Sequence, residues 1–247
     1  MSRLFEELDY CPTPIGALSL RRRHDARLGA EVYEILLGDA FLMTSHFTAS
    51  EVALGTLGMA ACQRPGAGGD RGQGLDVVVG GLGLGYTAQA VLKSPDVAEL
   101  RVVEFLDPVI EWHEAGLLPL GRDLVEDPRC RLVAGDFFAM AAGTGFDPEE
   151  VGRRFDAILA DIDHAPDDLL DARSRSFYQP DGLRALARFL KPGGVFGLWS
   201  DAHADAQFLA RLKAVFPVAW AEPVSFDSPL TGETVTQTVY LARTGDI

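Results

Sequence analysis

The chain has 247 residues, enough for one large α/β domain with a small appendage. Apolar residues make up 47% and charged residues 23%, which excludes an extensively disordered protein. The formal net charge of -14 repels phosphate backbones and anionic lipid surfaces, so neither nucleic acid nor membrane is expected as a partner; it suits solubility or a cationic ligand.

The first residues, MSRLFEELDY, carry acids where a signal peptide needs an apolar stretch, and no later apolar run reaches bilayer length, so a cytoplasmic location is expected. Cys11, Cys62 and Cys130 are odd in number and far apart, without a metal-ligand pattern. Reduced, structural cysteines and no metal are expected. The run Glu31 to Thr44 places two apolar segments around Gly38-Asp39 and predicts a β-hairpin. A helix follows, capped by Thr48 or Ser50, with Val52, Leu54, Leu57 and Ala60 at helical spacing. Gln63 to Gly74 is Gly-rich and aperiodic, a loop between an N-terminal lobe and the main domain. Three units are expected: a hairpin lobe with its helix over 1–62, a linker over 63–74, and a nucleoside-binding domain over 75–247.

From there strands and helices alternate: a strand at Leu75 to Gly80, a helix at Tyr86 to Lys93, a strand at Leu100 to Phe105 and a helix around Pro108 to Gly116. Strands at Arg131 to Ala134 and Phe155 to Ala160 precede a helix near Gly182 to Leu190, a Lys191-Pro192-Gly193-Gly194 turn and a strand to Ser200. This alternation implies an α/β fold, parallel strands with helices on both faces. A helix at Ala204 to Val215 and two β-like runs, Val218 to Phe226 and Thr234 to Ala242, suit an antiparallel hairpin closing the sheet.

Glycines 80, 81, 83 and 85 follow a buried strand and open a helix, where the absence of Cβ atoms lets backbone approach a nucleotide. The spacing is G-x-G-x-G, with Tyr86 where a dinucleotide site has its last glycine. Glu104 ends the second strand about 20 residues on, the place of an acid that accepts from ribose hydroxyls, or of a solvated strand end. Asp136 follows the third strand and can accept from an adenine amino group or cap the next helix. Asp161 ends the fourth, in Asp161-Ile162-Asp163-His164-Ala165-Pro166. All four positions lie at carboxyl ends of strands, where open α/β sheets bind ligands.

With these residues in place, the chain resembles the spermidine synthases, or polyamine aminopropyltransferases, from about Val32 to Phe216. The resemblance implies a Rossmann-like methyltransferase fold, mainly parallel, with a C-terminal antiparallel hairpin and a small N-terminal β-hairpin lobe. It implies that Gly81, Gly83, Gly85, Glu104 and Asp136 hold the donor, with Glu104 on ribose and Asp136 on adenine. It implies that Asp161 assists the attacking amine, and that Ser45 to Glu51, with His46 and Glu51, forms a substrate gate. The implied donor is S-adenosylmethionine or its decarboxylated form, and a homodimer is expected through the N-terminal lobe. Three departures stand out. Gly83 replaces the family's aspartate for the donor amine, Ala49 replaces the gate tyrosine, and the late tyrosine is Pro229. Asp163 and His164 either orient the acceptor or order the loop before Pro166. Trp112 and His113 fall on a helix, as core. Aminopropyl transfer to an amine, methyl transfer to a small acceptor, and nucleoside binding without turnover all stay open.

Overall fold

The computed structural model describes residues 4–62, 74–228 and 231–245. The expected linker, except Gly74, and Pro229 lie outside the described residues. The N-terminal lobe is a four-stranded antiparallel sheet, β1 (Phe5–Thr13), β2 (Gly16–Asp25), β3 (Ala30–Leu37) and β4 (Ala40–Thr44), in that order. The expected hairpin is its second half, turning at Gly38 with φ 59°. The first half escaped the sequence reading because β1 and β2 hide their pairing in charge: Arg22 bonds Glu6 at 2.6 Å and Arg23 bonds Glu34 at 2.8 Å across neighbouring strands.

Helix α1 (Ala49–Cys62) crosses to the main sheet. Its buried face includes Leu54, Gly55, Gly58 and Met59, whereas Ala60 is exposed, so the apolar spacing read from sequence points partly outward. The glycines are there for contact: a Cβ on Gly58 would sit 2.7 Å from Leu159, and one on Gly55 would sit 2.7 Å from Ala90.

The main sheet continues with β5 (Leu75–Gly80), α2 (Tyr86–Leu92), β6 (Val97–Glu104), α3 (Asp107–Glu114), α4 (Gly121–Glu126), β7 (Cys130–Ala134), α5 (Phe137–Ala142) and β8 (Phe155–Ala160). A short 3-10 turn at Ala172–Ser176 leads to α6 (Pro180–Ala187), β9 (Leu190–Ser200), α7 (Ala206–Lys213), β10 (Val218–Asp227) and β11 (Thr234–Arg243). Strand order is β10-β11-β9-β8-β5-β6-β7. The five strands from β9 to β7 are parallel, and β11 and β10 close the edge antiparallel. Side chains alternate between two cores. Val77 and Val79 pack with Leu54 and Val91 on one face, Val78 with Phe137, Leu183 and Phe208 on the other. Helices α4 and α5, six residues each, are additions to the sequence reading.

Two contacts tie the lobe to the main sheet. The Trp112 indole N–H of α3 donates to Asp9 at the β1 bulge, 2.6 Å, and the Leu84 N–H donates to the Met43 sulfur of β4, 3.1 Å.

Candidate active site

The strand order decides the geometry. β5 lies between β8 and β6, so the ends of β6 and β7 fall on one side of the glycine loop and the ends of β8 and β9 on the other. A cavity of about 740 Å³ opens there, roofed by residues of the N-terminal sheet. It is lined by Gly81, Gly83, Glu104, Asp136, Glu51, Asp161, Asp163 and His164 from the expected set.

Gly81 has φ 91°, and a Cβ on it would overlap the Asp161 carbonyl, so glycine is required both by conformation and by close approach. Gly83 has φ 47°, and a Cβ on it would meet the Met43 sulfur at 2.7 Å. Its carbonyl accepts the Nε2–H of His113 at 2.9 Å. A carbonyl only accepts, so His113 is protonated on Nε2 and its buried Nδ1 is left without a partner. Burial pushes the His113 pKa down and keeps the ring neutral. Met43 and His113 therefore hold Gly83 from two sides, a role that no local motif signals. Gly85 stands at the start of α2.

On the β6–β7 side, Glu104 is buried, and its two oxygens accept from Leu82 N and Leu106 N, each at 2.8 Å. Burial raises its pKa while the backbone donors pull it back. This is neither a solvated strand end nor a free carboxylate: Glu104 pins the glycine loop while facing the cavity. Asp136 caps α5, accepting from Phe138 N and Ala139 N through Oδ1 at 2.9 and 3.1 Å. Capping and cavity lining coexist, since both bonds fall on one oxygen.

On the β8 side, Asp161 Oδ2 lies 2.6 Å from the Thr87 hydroxyl, which also lies 3.1 Å from the Glu51 carbonyl oxygen. Thr87 has one proton to give. When Asp161 is ionised the hydroxyl donates to it; when Asp161 is protonated it donates to Thr87, which turns to the Glu51 carbonyl. One hydroxyl thus satisfies both protonation states. The Glu51 carboxylate accepts from Ser50 at 2.8 Å. Burial pushes both carboxyls up, Glu51 to about 7 with Asp161's charge adding to it, and Asp161 to about 6. The ionisation steps belong to the pair.

Asp163 and His164 differ from each other. The Asp163 carboxylate is buried and accepts from Leu170 N at 2.7 Å, the Ser174 hydroxyl at 3.0 Å and the Tyr178 hydroxyl at 2.7 Å. Its acceptor capacity is used within the loop, which is the ordering role. His164 is partly exposed, with Nδ1 3.8 Å from Asp201. His46 departs from the gate expectation. Its side chain is 2% exposed, drawn into the N-terminal sheet beside Asp25 at 3.3 Å and Arg23 at 3.4 Å, and it is not among the described residues lining the cavity. Of the gate pair, only Glu51 reaches the site. No group of three or more His, Cys, Asp or Glu suited to a metal occurs among the described residues.

A mostly parallel seven-stranded sheet with an antiparallel closing hairpin and a nucleotide-type glycine loop defines a Rossmann-like fold of the methyltransferase type. The spermidine synthase of Thermotoga maritima superposes with TM-score 0.70 at 18% identity, over 98% of this chain and 74% of that one. No protein-family model matches the chain. In sequence it is 28% identical to putrescine N-methyltransferase 4 of Nicotiana tabacum, over 63% of this chain and 39% of that protein. It is 33% identical to the polyamine aminopropyltransferase of Nitrosomonas europaea, over 61% of this chain and 43% of the relative. The matched segment thus spans about two fifths of these relatives. The resemblance read from the motifs holds: the chain is similar to polyamine aminopropyltransferases and to putrescine N-methyltransferases, which are transferases.

Proposed function

We propose that this protein transfers a carbon group from a sulfonium nucleoside, S-adenosylmethionine or its decarboxylated form, to the nitrogen of a small amine. The observation that carries it is the Glu51–Asp161 pair, two carboxyls with raised pKa facing the cavity beside the glycine loop. Primary amines have pKa values near ~10 and arrive charged, so the acceptor must lose a proton before or during attack. An ionised member of the pair attracts the ammonium and takes that proton. The nitrogen lone pair then forms the new C–N bond as the C–S bond breaks and its electrons return to sulfur. Glu104, Asp136 and the glycine loop position the nucleoside, and holding the two reactants in line supplies much of the rate.

Aminopropyl transfer is the first reading, supported by the 33% identity to a polyamine aminopropyltransferase. Methyl transfer is the second, favoured by Gly83 under the Met43 thioether: no carboxylate stands there to hold a donor's amine or to repel a donor's carboxylate. A cytoplasmic homodimer is part of this proposal. Leu4, Phe5 and Tyr10 at the edge strand of the N-terminal sheet are exposed by 73%, 54% and 62%, apolar surface that a second copy would cover.

The test is to incubate the protein with each donor and a pool of amines, then identify the released nucleoside by mass spectrometry. Methylthioadenosine above an Asp161→Asn control establishes aminopropyl transfer, and S-adenosylhomocysteine establishes methyl transfer. Donor binding with neither product returns the protein to a nucleoside-binding role.

A further inference from the structure

The β8–β9 side of the cavity is built differently from the donor side. Besides its carboxylates the cavity is lined by Ile15 from the β1–β2 turn, Ile35 of β3 and Leu42 of β4 on the roof, and by Ile162 and Trp199 at the ends of β8 and β9. Of the remaining carboxylates that line the cavity, Glu104 and Asp136 end β6 and β7 on the donor side, and the others are paired locally. Glu104 holds the glycine loop, Asp136 caps α5, and Asp163 is filled by its own loop. Asp171 is paired with Arg173, and Asp181 with Arg184. His164, the other ionisable group at the β8 end, brings no negative charge. One anionic locus therefore faces an apolar chamber.

A ligand with two ammonium groups would place one at the pair and leave the other among Ile15, Ile35, Leu42, Ile162 and Trp199, which carry no counter-charge. Burying a charge without a counter-ion or hydrogen-bond partners is strongly unfavourable. A ligand with one ammonium and an apolar body satisfies both ends, and its body removes the chamber walls from water. Resting on the proposed amine transfer, we infer that the acceptor is a monoamine with an alkyl or arylalkyl body rather than a diamine or polyamine. Leu42 is a residue that sets this preference. It is half-buried on the edge strand of the roof, so a charged side chain there is tolerable to the fold.

The test has two arms. In the first, kcat/KM is measured for hexylamine, phenethylamine and putrescine with whichever donor is turned over. The expected result is a preference of about tenfold or more for the monoamines, the scale on which a pocket discriminates by an unmatched group. Leu42→Asp, with Ile15→Asp as a second variant, adds a counter-charge and moves the preference toward putrescine. In the second arm, calorimetry compares binding of the same amines to the protein saturated with methylthioadenosine or S-adenosylhomocysteine. Equal or tighter binding of putrescine, or no binding of either monoamine at millimolar concentration, overturns the inference. Putrescine turned over faster than the monoamines also overturns it while leaving amine transfer standing. Absence of any released nucleoside removes the transfer reading, and the calorimetric arm still decides the monoamine preference.

Discussion

The two sides of the cavity both present carboxylates, yet they are held in opposite ways. Glu104 and Asp136 accept backbone N–H bonds at 2.8 to 3.1 Å, which fix their positions. Glu51 and Asp161 are held mainly by two hydroxyls and stand close enough for one's charge to raise the other's pKa. Backbone donors cannot change roles, whereas a hydroxyl can donate or accept. The first arrangement suits holding a ligand, and the second suits passing a proton.

The largest expected effect breaks the second side. Asp161→Asn removes the proton acceptor while keeping shape, and nucleoside release falls by about 10²- to 10⁴-fold, the usual contribution of a positioned acid or base. Donor affinity, measured by calorimetry, stays within about threefold on the order-of-magnitude view that distant groups act independently. A parallel loss of donor affinity would show that the two sides are not separate.

Next comes the junction between them. Gly81→Ala places a methyl on the Asp161 carbonyl at a positive φ, and a loss of about 3 kcal/mol is expected, seen as a Tm drop of about 6 to 12 °C. An unchanged Tm would mean that the loop and the end of β8 can part freely. Asp163→Asn weakens the buried bonds to Tyr178 and Ser174 and is expected to cost about 1.5 to 3 kcal/mol, with KM for the acceptor rising more than kcat falls. A pure kcat loss at unchanged stability would instead make Asp163 a participant.

The smallest effect is on pH dependence. Both carboxyls of the pair bind protons more tightly in the folded chain than in the unfolded one, where they titrate near about 4. The pair's contribution to stability is therefore greatest below that unfolded value and falls as pH rises toward about 7. Activity runs the other way, rising across about pH 6 to 7 as the pair ionises. In Glu51→Gln the loss of stability between pH 5 and pH 7.5, followed by urea unfolding, shrinks. An identical slope in the variant would assign the titration to another group.

The parallel strands and their terminal acids were legible because buried parallel strands are continuous apolar runs and ligands gather at their carboxyl ends, as LDVVVG and FDAILAD show. Two kinds of feature were not. β1 and β2 pair through Arg–Glu contacts across strands, so FEELDY and RRRHD carry no apolar run to mark them. The direction of a side chain is likewise set by neighbours distant in sequence. His46 turns from the cavity toward Asp25, Asp163 turns inward to Tyr178, and Thr87 gains its meaning only when α2 packs beside α1. Gly83 could be recognised as a departure from the family's aspartate, but the methionine that fills the space lies 40 residues earlier in the chain, on another sheet.

Because the Asp9–Trp112 and Met43–Leu84 bonds join the N-terminal sheet to the main sheet, the two are expected to melt together. The indole that anchors α3 to the lobe is a natural reporter of that junction. Its near-ultraviolet dichroism is expected to vanish at the same urea concentration as the far-ultraviolet signal of the helices, so that the roof of the cavity is lost only with its floor.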